Sequence, residues 1–235
     1  MKTIGIIGGI AWPSTIVYYR TINEEVARRL GGNGLHCAKL VIVQTDFEEV
    51  ERNQVLGNWE RVGELLSIEA NKLKAAGADF FIIACNTVHT AMPYIDAKTD
   101  LPYIHIVDPA AQTALSKGYK TVGLLGSGYT TMKGTYFTGR LMEHYGLNVL
   151  LPEGEHRDNV HNALYKELAK GIFLPKTRAK FKTAIEDLIK RGAETVILGC
   201  TEFGMLVKEE DCPVPLIDTT IAHARAAVDR ALQEN

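Results

Sequence analysis

The 235-residue sequence predicts an α/β fold of two similar lobes, each a parallel sheet flanked by helices, related by pseudo-twofold duplication. The first observation behind this is internal repetition. Thr3-Ile-Gly-Ile-Ile-Gly-Gly9 returns 118 residues later as Thr121-Val-Gly-Leu-Leu-Gly-Ser127. Gly77-Ala-Asp-Phe-Phe-Ile-Ile-Ala-Cys-Asn-Thr87 returns 115 residues later as Gly192-Ala-Glu-Thr-Val-Ile-Leu-Gly-Cys-Thr-Glu202. Leu101-Pro-Tyr-Ile-His105 returns after 113 as Val214-Pro-Leu-Ile-Asp218. One such match could be chance; three in the same order are a duplication with small differences in loop length. The second observation is that the repeated segments are continuous apolar runs bounded by polar residues or glycine, the pattern of parallel strands buried on both faces. The third is strand–helix alternation, which builds parallel sheets through right-handed crossovers.

The elements follow in order. Ile4–Ile7, Leu40–Gln44 and Phe80–Ala84 read as strands of the first half, with helices over Ser14–Leu30 and Trp59–Ala75. The second half gives strands Val122–Leu125, Asn148–Leu151 and Thr195–Leu198, with helices over Tyr136–Tyr145, Asn159–Ala169 and Thr177–Arg191. Gly77, Gly146 and Gly192 stand where helices should end in a left-handed residue. Tyr18-Tyr19-Arg20 reads as helix packing with an exposed arginine. The unit Pro215–Gln233 resembles the segment closing the first half, so the chain is expected to cross back. The predicted lobes are therefore residues 1–112 with 213–235, and residues 113–212.

Composition narrows the function classes. Lys and Arg number 26 against 28 Asp and Glu, and no basic run is present, which argues against a nucleic-acid binder. No apolar stretch approaches the roughly 20 residues that span a bilayer. The apolar start Ile4–Trp12 lacks a following small-residue cleavage site and reads as a first strand and turn, which by default gives a cytoplasmic protein with no membrane partner. The four cysteines, at 37, 85, 200 and 212, form no CxxC pair and no metal-type spacing with histidine. Cys37 and Cys212 read as structural. Gly5–Gly9 and Gly126–Gly128 follow strands but lack the GxGxxG pattern and the acidic residue of a dinucleotide site.

Cys85 and Cys200 differ from the other two. They occupy matching positions of the repeat, each just past a strand's last apolar residue and before a helix. Ligands of parallel sheets bind outside the carboxyl ends of strands. Lobes packed about a pseudo-twofold would bring both thiols to one interlobe cleft, the expected active site. Opposed thiols suit inversion of an α-carbon, which needs a base on one face and an acid on the other. Asn86, Thr87 and Thr201 follow the cysteines and could supply hydrogen bonds to a carboxylate. His89, four residues after Cys85, reads as a structural or orienting residue rather than the base of a Cys–His nucleophile. Glu202 either tunes Cys200 or favours a helix start.

At Ala84-Cys-Asn-Thr-Val-His89 and Gly199-Cys-Thr-Glu202 the sequence resembles the aspartate/glutamate racemase superfamily, most closely its aspartate racemase branch. The resemblance runs from residue 2 to about residue 228. It includes Lys2-Thr-Ile-Gly-Ile-Ile-Gly-Gly9 with Trp12, Ser14-Thr15, Tyr18-Tyr19-Arg20 and Ile22-Asn23. It continues with Asp46-Phe47, Gln54, Gly57-Asn-Trp59, Thr131-Met132, Pro215-Leu-Ile-Asp-Thr219 and His223-Ala224. It implies a racemase that uses no pyridoxal or other cofactor and no metal, with Cys85 and Cys200 as the two bases. It implies further that Asn86, Thr87, Thr131 and Thr201 hold the α-carboxylate. Arg52, on a loop, or Gln54, together with Lys170, would meet an acidic side chain. Glu202 joins the substrate-binding set, and Cys-Thr-Glu in place of Cys-Thr-His favours aspartate over glutamate. The family commonly forms dimers, so a homodimer is expected. Two departures bear on substrate: Ile10, Ala11 and Pro13 replace the branch's usual Met, Ser and Glu, and the loop Gly126–Met132 is one residue longer than the common form. The alternatives are a superfamily enzyme that racemises or isomerises another small carboxylate, and a non-catalytic amino-acid-binding protein.

Overall fold

The computed structural model describes residues 1–32, 34–132 and 136–233. The described residues form two parallel sheets flanked by helices. In the first half, β1 (Ile4–Gly8), α1 (Trp12–Leu30), β2 (Leu40–Gln44), α2 (Phe47–Val55), α3 (Trp59–Ala75), β3 (Phe80–Ile83) and the short α4 (Met92–Asp96) follow one another. The second half runs α5 (Val107–Ser116), β4 (Thr121–Leu125), α6 (Gly128–Thr131), β5 (Asn148–Leu150), α7 (Gly154–Lys166), α8 (Pro175–Lys190), β6 (Thr195–Leu198), α9 (Thr201–Leu206), β7 (Leu216–Asp218) and α10 (Thr219–Leu232). Among the described residues no helix is long and apolar enough to cross a membrane.

The predicted strands are all present, and the duplication extends to individual atoms. The sheet orders are β2-β1-β3 and β5-β4-β6-β7, with every pairing parallel. The partner that β7 gives β6 has its counterpart in an isolated parallel bridge between Phe81 and Tyr103. Asp79 N donates to Thr3 O at 2.9 Å, and Glu194 N to Thr121 O at the same distance. Gly77 and Gly192, each just after a helix, take φ of 87° and 103°, a conformation that glycine reaches without strain.

Gly5 and Gly123, mid-strand in β1 and β4, make room for equivalent leucines. A Cβ at either would stand 3.0 Å from the Cδ1 of Leu73 or of Leu188. Both leucines are fully buried and fill the groove that a missing side chain leaves. Truncating either to alanine is expected to cost about 2–5 kcal/mol, since the backbone groove cannot collapse into the space. Urea denaturation checks this; a loss well below 1 kcal/mol would show that the groove is not a packing site.

Alternation along the first sheet sends side chains to two cores. Ile7, Phe81 and Ile83 join Val62, Leu66 and Leu73 of α3. Ile4, Ile6, Phe80 and Ile82 join Tyr18, Ile22 and Val26 of α1 and Ala224, Ala227, Val228 and Ala231 of α10. Tyr18 is buried and Arg20 exposed, as the Tyr-Tyr-Arg cluster predicts. In the second half, Leu125, Val196 and Leu198 pack with Phe181, Ile185 and Leu188 of α8.

The chain divides into two compact units, Met1–Ile106 with the chain from His223 on, and Val107–Ala222. The predicted boundaries at 112/113 and 212/213 are thus corrected. β7 pairs with β6 in register Ile197↔Ile217, which carries residues 213–222 into the second unit, and α5 joins that unit too. Each half therefore ends in a helix that groups with the other unit: α5 with the second, α10 from His223 on with the first. Two helical expectations also change. The stretch read as a helix over Tyr136–Tyr145 contains a π-helical turn at Arg140–His144, and α7 begins at Gly154, five residues before the expected start.

Candidate active site: two cysteine turns

The first turn begins where the β1–β3 ladder ends. Ala84 N makes the last bond, to Ile7 O at 2.9 Å, and Cys85 follows, half-buried and outside the strand. Asn86 is buried, and a 3₁₀ turn then runs over Thr87–Ala91. His89 closes this turn back on itself. Its Nδ1 lies 2.9 Å from Cys85 O and 3.2 Å from Asn86 O, and its Nε2 accepts from Ile106 N at 3.3 Å. Two carbonyl neighbours require a donor at Nδ1, and an N–H neighbour requires an acceptor at Nε2, so the imidazole is neutral and carries its proton on Nδ1. Burial, with His105 and His223 beside it, holds His89 well below its ordinary pKa of 6.5. Both ring nitrogens are engaged by backbone, which fits the orienting role and not that of a base for the thiol.

The second turn repeats the first up to the cysteine and then departs. Gly199 N donates to Leu125 O at 2.7 Å, the counterpart of Ala84 to Ile7. Cys200, with extended backbone (φ −155°, ψ 139°), caps α9. Its thiol donates to Glu202 Oε2 at 2.9 Å, and Glu202 is itself buried. Of the two readings of Glu202, the contact with the sulfur is the one present, where the carboxylate can accept the thiol proton. Thr201 is buried, and its Oγ1 accepts from Thr220 Oγ1 at 3.3 Å.

The remaining candidates are spread along both units. Thr131 ends α6, in the loop after β4, and its hydroxyl donates to Ser127 O at 3.0 Å. Ser127 caps α6 by accepting from Thr130 N at 3.3 Å, a positioning role that sequence reading missed although a serine ahead of a helix is the usual cap. Thr131 also lines a cavity of about 710 Å³ with Tyr129, Arg157, His161 and Arg191. Arg52 lies on α2, not on a loop as expected. Two residues apart on one helix do not share a face. Accordingly Gln54 is buried, whereas the Arg52 side chain is 61% exposed, 3.7 Å from Glu48. Lys170 ends a 3₁₀ turn, Leu168–Lys170, and is exposed. Ile10, one of the departures from the branch signature, is 2% exposed in the first core and packs with Val50 and Val62. Cys37, read as structural, is exposed.

Two parallel α/β units of one strand order, each with a cysteine two residues past the end of the equivalent strand, define a duplicated α/β protein with one candidate thiol per half. The chain belongs to the Asp/Glu/Hydantoin racemase family, whose model matches residues 7–227, and so to a family of isomerases. A candidate Asp/Glu racemase from Yersinia pestis is 42% identical, with coverage of 99% of this chain and 100% of that one and a TM-score of 0.92. An aspartate racemase homologue from Pyrococcus horikoshii OT3 is 31% identical, with coverage of 99% and 100% and a TM-score of 0.84. The broad specificity amino-acid racemase RacX of Bacillus subtilis (strain 168) is 25% identical over 163 residues, 69% of each chain.

Proposed function

We propose that this protein interconverts L- and D-aspartate, with glutamate as a second substrate, by a two-base mechanism that needs no cofactor. The observation that carries the proposal is the equivalence of Cys85 and Cys200, each placed by the same backbone bond at the end of the same strand of its unit. In this reading the thiolate of one cysteine takes the α-proton from one face of the substrate. The thiol of the other then donates its proton to the opposite face of the carbanion. Each turnover leaves the two sulfurs with exchanged protonation, ready for the reverse direction. Glu202 Oε2 is the acceptor for the Cys200 proton when that sulfur must act as thiolate.

Hydrogen bonds from Asn86, Thr87, Thr131 and Thr201 to the α-carboxylate would stabilise the charge that develops on it. Arg52 or, in its place, Gln54 would select the acidic side chain together with Lys170. The contact of Arg52 with Glu48 is an exposed pair at 3.7 Å, a kind worth little, so reaching toward a ligand costs little. The resemblance extends the proposal to a homodimer, and the default reading of the sequence puts it in the cytoplasm. A second reading, racemisation of non-acidic amino acids, draws support from the similarity to a broad-specificity racemase.

Incubation of the purified protein in deuterated water with L- and D-aspartate, glutamate and a panel of neutral and basic amino acids tests both. The expected result is inversion of aspartate, with one α-deuterium in the inverted product. Inversion confined to non-acidic amino acids would replace the substrate assignment, and none anywhere in the panel would overturn the function.

A further inference from the structure

The two cysteine turns are duplicated up to the sulfur but are held by different devices. At the 115-residue offset that carries Cys85 onto Cys200, His89 falls on Gly204. Gly204 leaves no room for a side chain, because a Cβ there would collide with Asp218 Oδ2. That carboxylate is fixed by bonds from Thr220 N at 2.8 Å and Ile221 N at 3.3 Å to its other oxygen. Asp218 is in turn the repeat counterpart of His105, whose ring centroid is 4.8 Å from that of His89. One unit thus fills this corner with two imidazoles, and the other with a carboxylate against bare backbone.

We propose that His89 is a positioning residue for Cys85 alone: a neutral imidazole, locked with its proton on Nδ1, that ties the Cys85 carbonyl to the backbone at Ile106 and so sets where the Cys85 sulfur stands. The bonds are those to Cys85 O at 2.9 Å, four positions before the ring, and from Ile106 N at 3.3 Å, 17 positions after it, and the ring between them is buried. The clamp depends on neutrality. Protonated at Nε2, the ring would present a second N–H to the Ile106 N–H and lose that bond.

The surroundings keep it neutral. His105 faces His89 from the segment after β3, and His223 faces it from α10, at 5.9 Å between ring centroids. Tyr18 on α1 bonds His223 Nδ1 at 2.9 Å, and His223 Nε2 donates to Ile104 O at 2.8 Å. On its own turn the titratable neighbour is Cys85. The side chains that hold its pKa down are imidazoles, so a charge on His89 would sit buried beside His105 and His223. With its pKa depressed in the folded state, His89 binds its proton more readily when the chain is unfolded. Its contribution to stability is therefore full above pH 6.5 and declines as pH falls below that value.

The inference rests on the proposed role of Cys85, and its test separates the two. Nitrogen-15 NMR of histidine-labelled protein reads the tautomer directly. The expected signature is a protonated Nδ1 and an unprotonated Nε2 at His89, unchanged from pH 8 to 6; the opposite tautomer, or titration near 6.5, would overturn the proposal whatever the enzyme does. Iodoacetamide labelling, followed peptide by peptide, reads each thiol in turn. His89→Ala is expected to change the Cys85 rate about tenfold or more while the Cys200 rate stays within about twofold. His89→Asn, which keeps a donor for Cys85 O, should restore most of the Cys85 rate.

Turnover should follow the same pattern. His89→Ala is expected to lower kcat by about 100-fold, the scale of a reacting group displaced by an ångström, with KM changed little. His89→Asn should recover part of kcat. Equal changes at both thiols, or none at either, would overturn the positioning role. A wild-type protein that racemises nothing, yet shows the expected NMR signature and selective labelling, would overturn the function and leave the clamp standing.

Discussion

Replacing Cys85 or Cys200 by serine is expected to lower inversion of aspartate at least a thousandfold in both directions, about 4 kcal/mol on the barrier. The loss follows from what the mechanism asks of each residue. A thiol with a pKa of about 8.5 can be thiolate or thiol near neutral pH, whereas a serine hydroxyl is too weak an acid to spend time as its anion. Serine can hydrogen-bond where cysteine did, but it cannot take the α-proton. Each variant keeps one working sulfur, so it should still exchange the α-hydrogen of the enantiomer that faces that sulfur. The signature is α-deuterium gained by unreacted substrate of one hand without inversion, and the two variants should differ in which hand. Wild-type inversion in either variant would sink the two-base assignment. Because Cys200 donates to Glu202, the Cys200 variant also leaves a buried carboxylate with a new hydroxyl neighbour, and circular dichroism should confirm that its fold is intact.

Placing aspartate at Ala227 is expected to destabilise the first unit by several kcal/mol, a large part of the roughly 5–15 kcal/mol that holds a typical domain together. Ala227 on α10 is fully buried with Ile4, Ile6, Tyr18, Phe80 and Ile82, so its Cβ faces a core from which water is excluded. A carboxylate there must either stay charged without a partner or take up a proton at a pH where it would otherwise be ionised. Arg225, two residues earlier on the exposed face, serves as the control; its change to alanine should stay within about 0.5 kcal/mol. Urea denaturation followed by fluorescence separates the outcomes, and equal midpoints for the two variants would show that α10 does not complete the core around Ile4 and Ile6.

The features carried by local pattern were legible in the sequence. Each strand is a continuous apolar run, and the cysteines stand out because the repeat sets them in register. Helix α2 was harder, because its inward positions include Asn53 and Gln54 beside Val50, and polar residues on the buried face hide the apolar period that marks a helix. Arg52 was expected on a loop because the resemblance implied one there, and no helical period spoke against it. The Cys200–Glu202 contact was one of two readings the sequence left open, because residue types alone do not say where the sulfur points. Residues two apart within a helix diverge, but Cys200 is still extended, which turns its sulfur toward the first turn of α9. The His89 clamp closes on Ile106, a backbone N–H that no residue type announces. The unit boundaries moved because strand pairing decides them: β7 follows β6 into its sheet, and a repeat in sequence does not say where the chain changes unit.

The exchange of closing helices has a consequence for synthesis. Residues 107–222 are one continuous stretch, so the second unit has all of its own chain as soon as that stretch has left the ribosome. The first unit, although translated earlier, has to wait for the chain from His223 on before Ala224, Ala227, Val228 and Ala231 can cover Ile4 and Ile6. At about 5–20 residues per second, the 116 residues between leave that apolar face without its cover for about 6–23 seconds. Vectorial order is thereby reversed: the unit translated first is the one whose core is closed last.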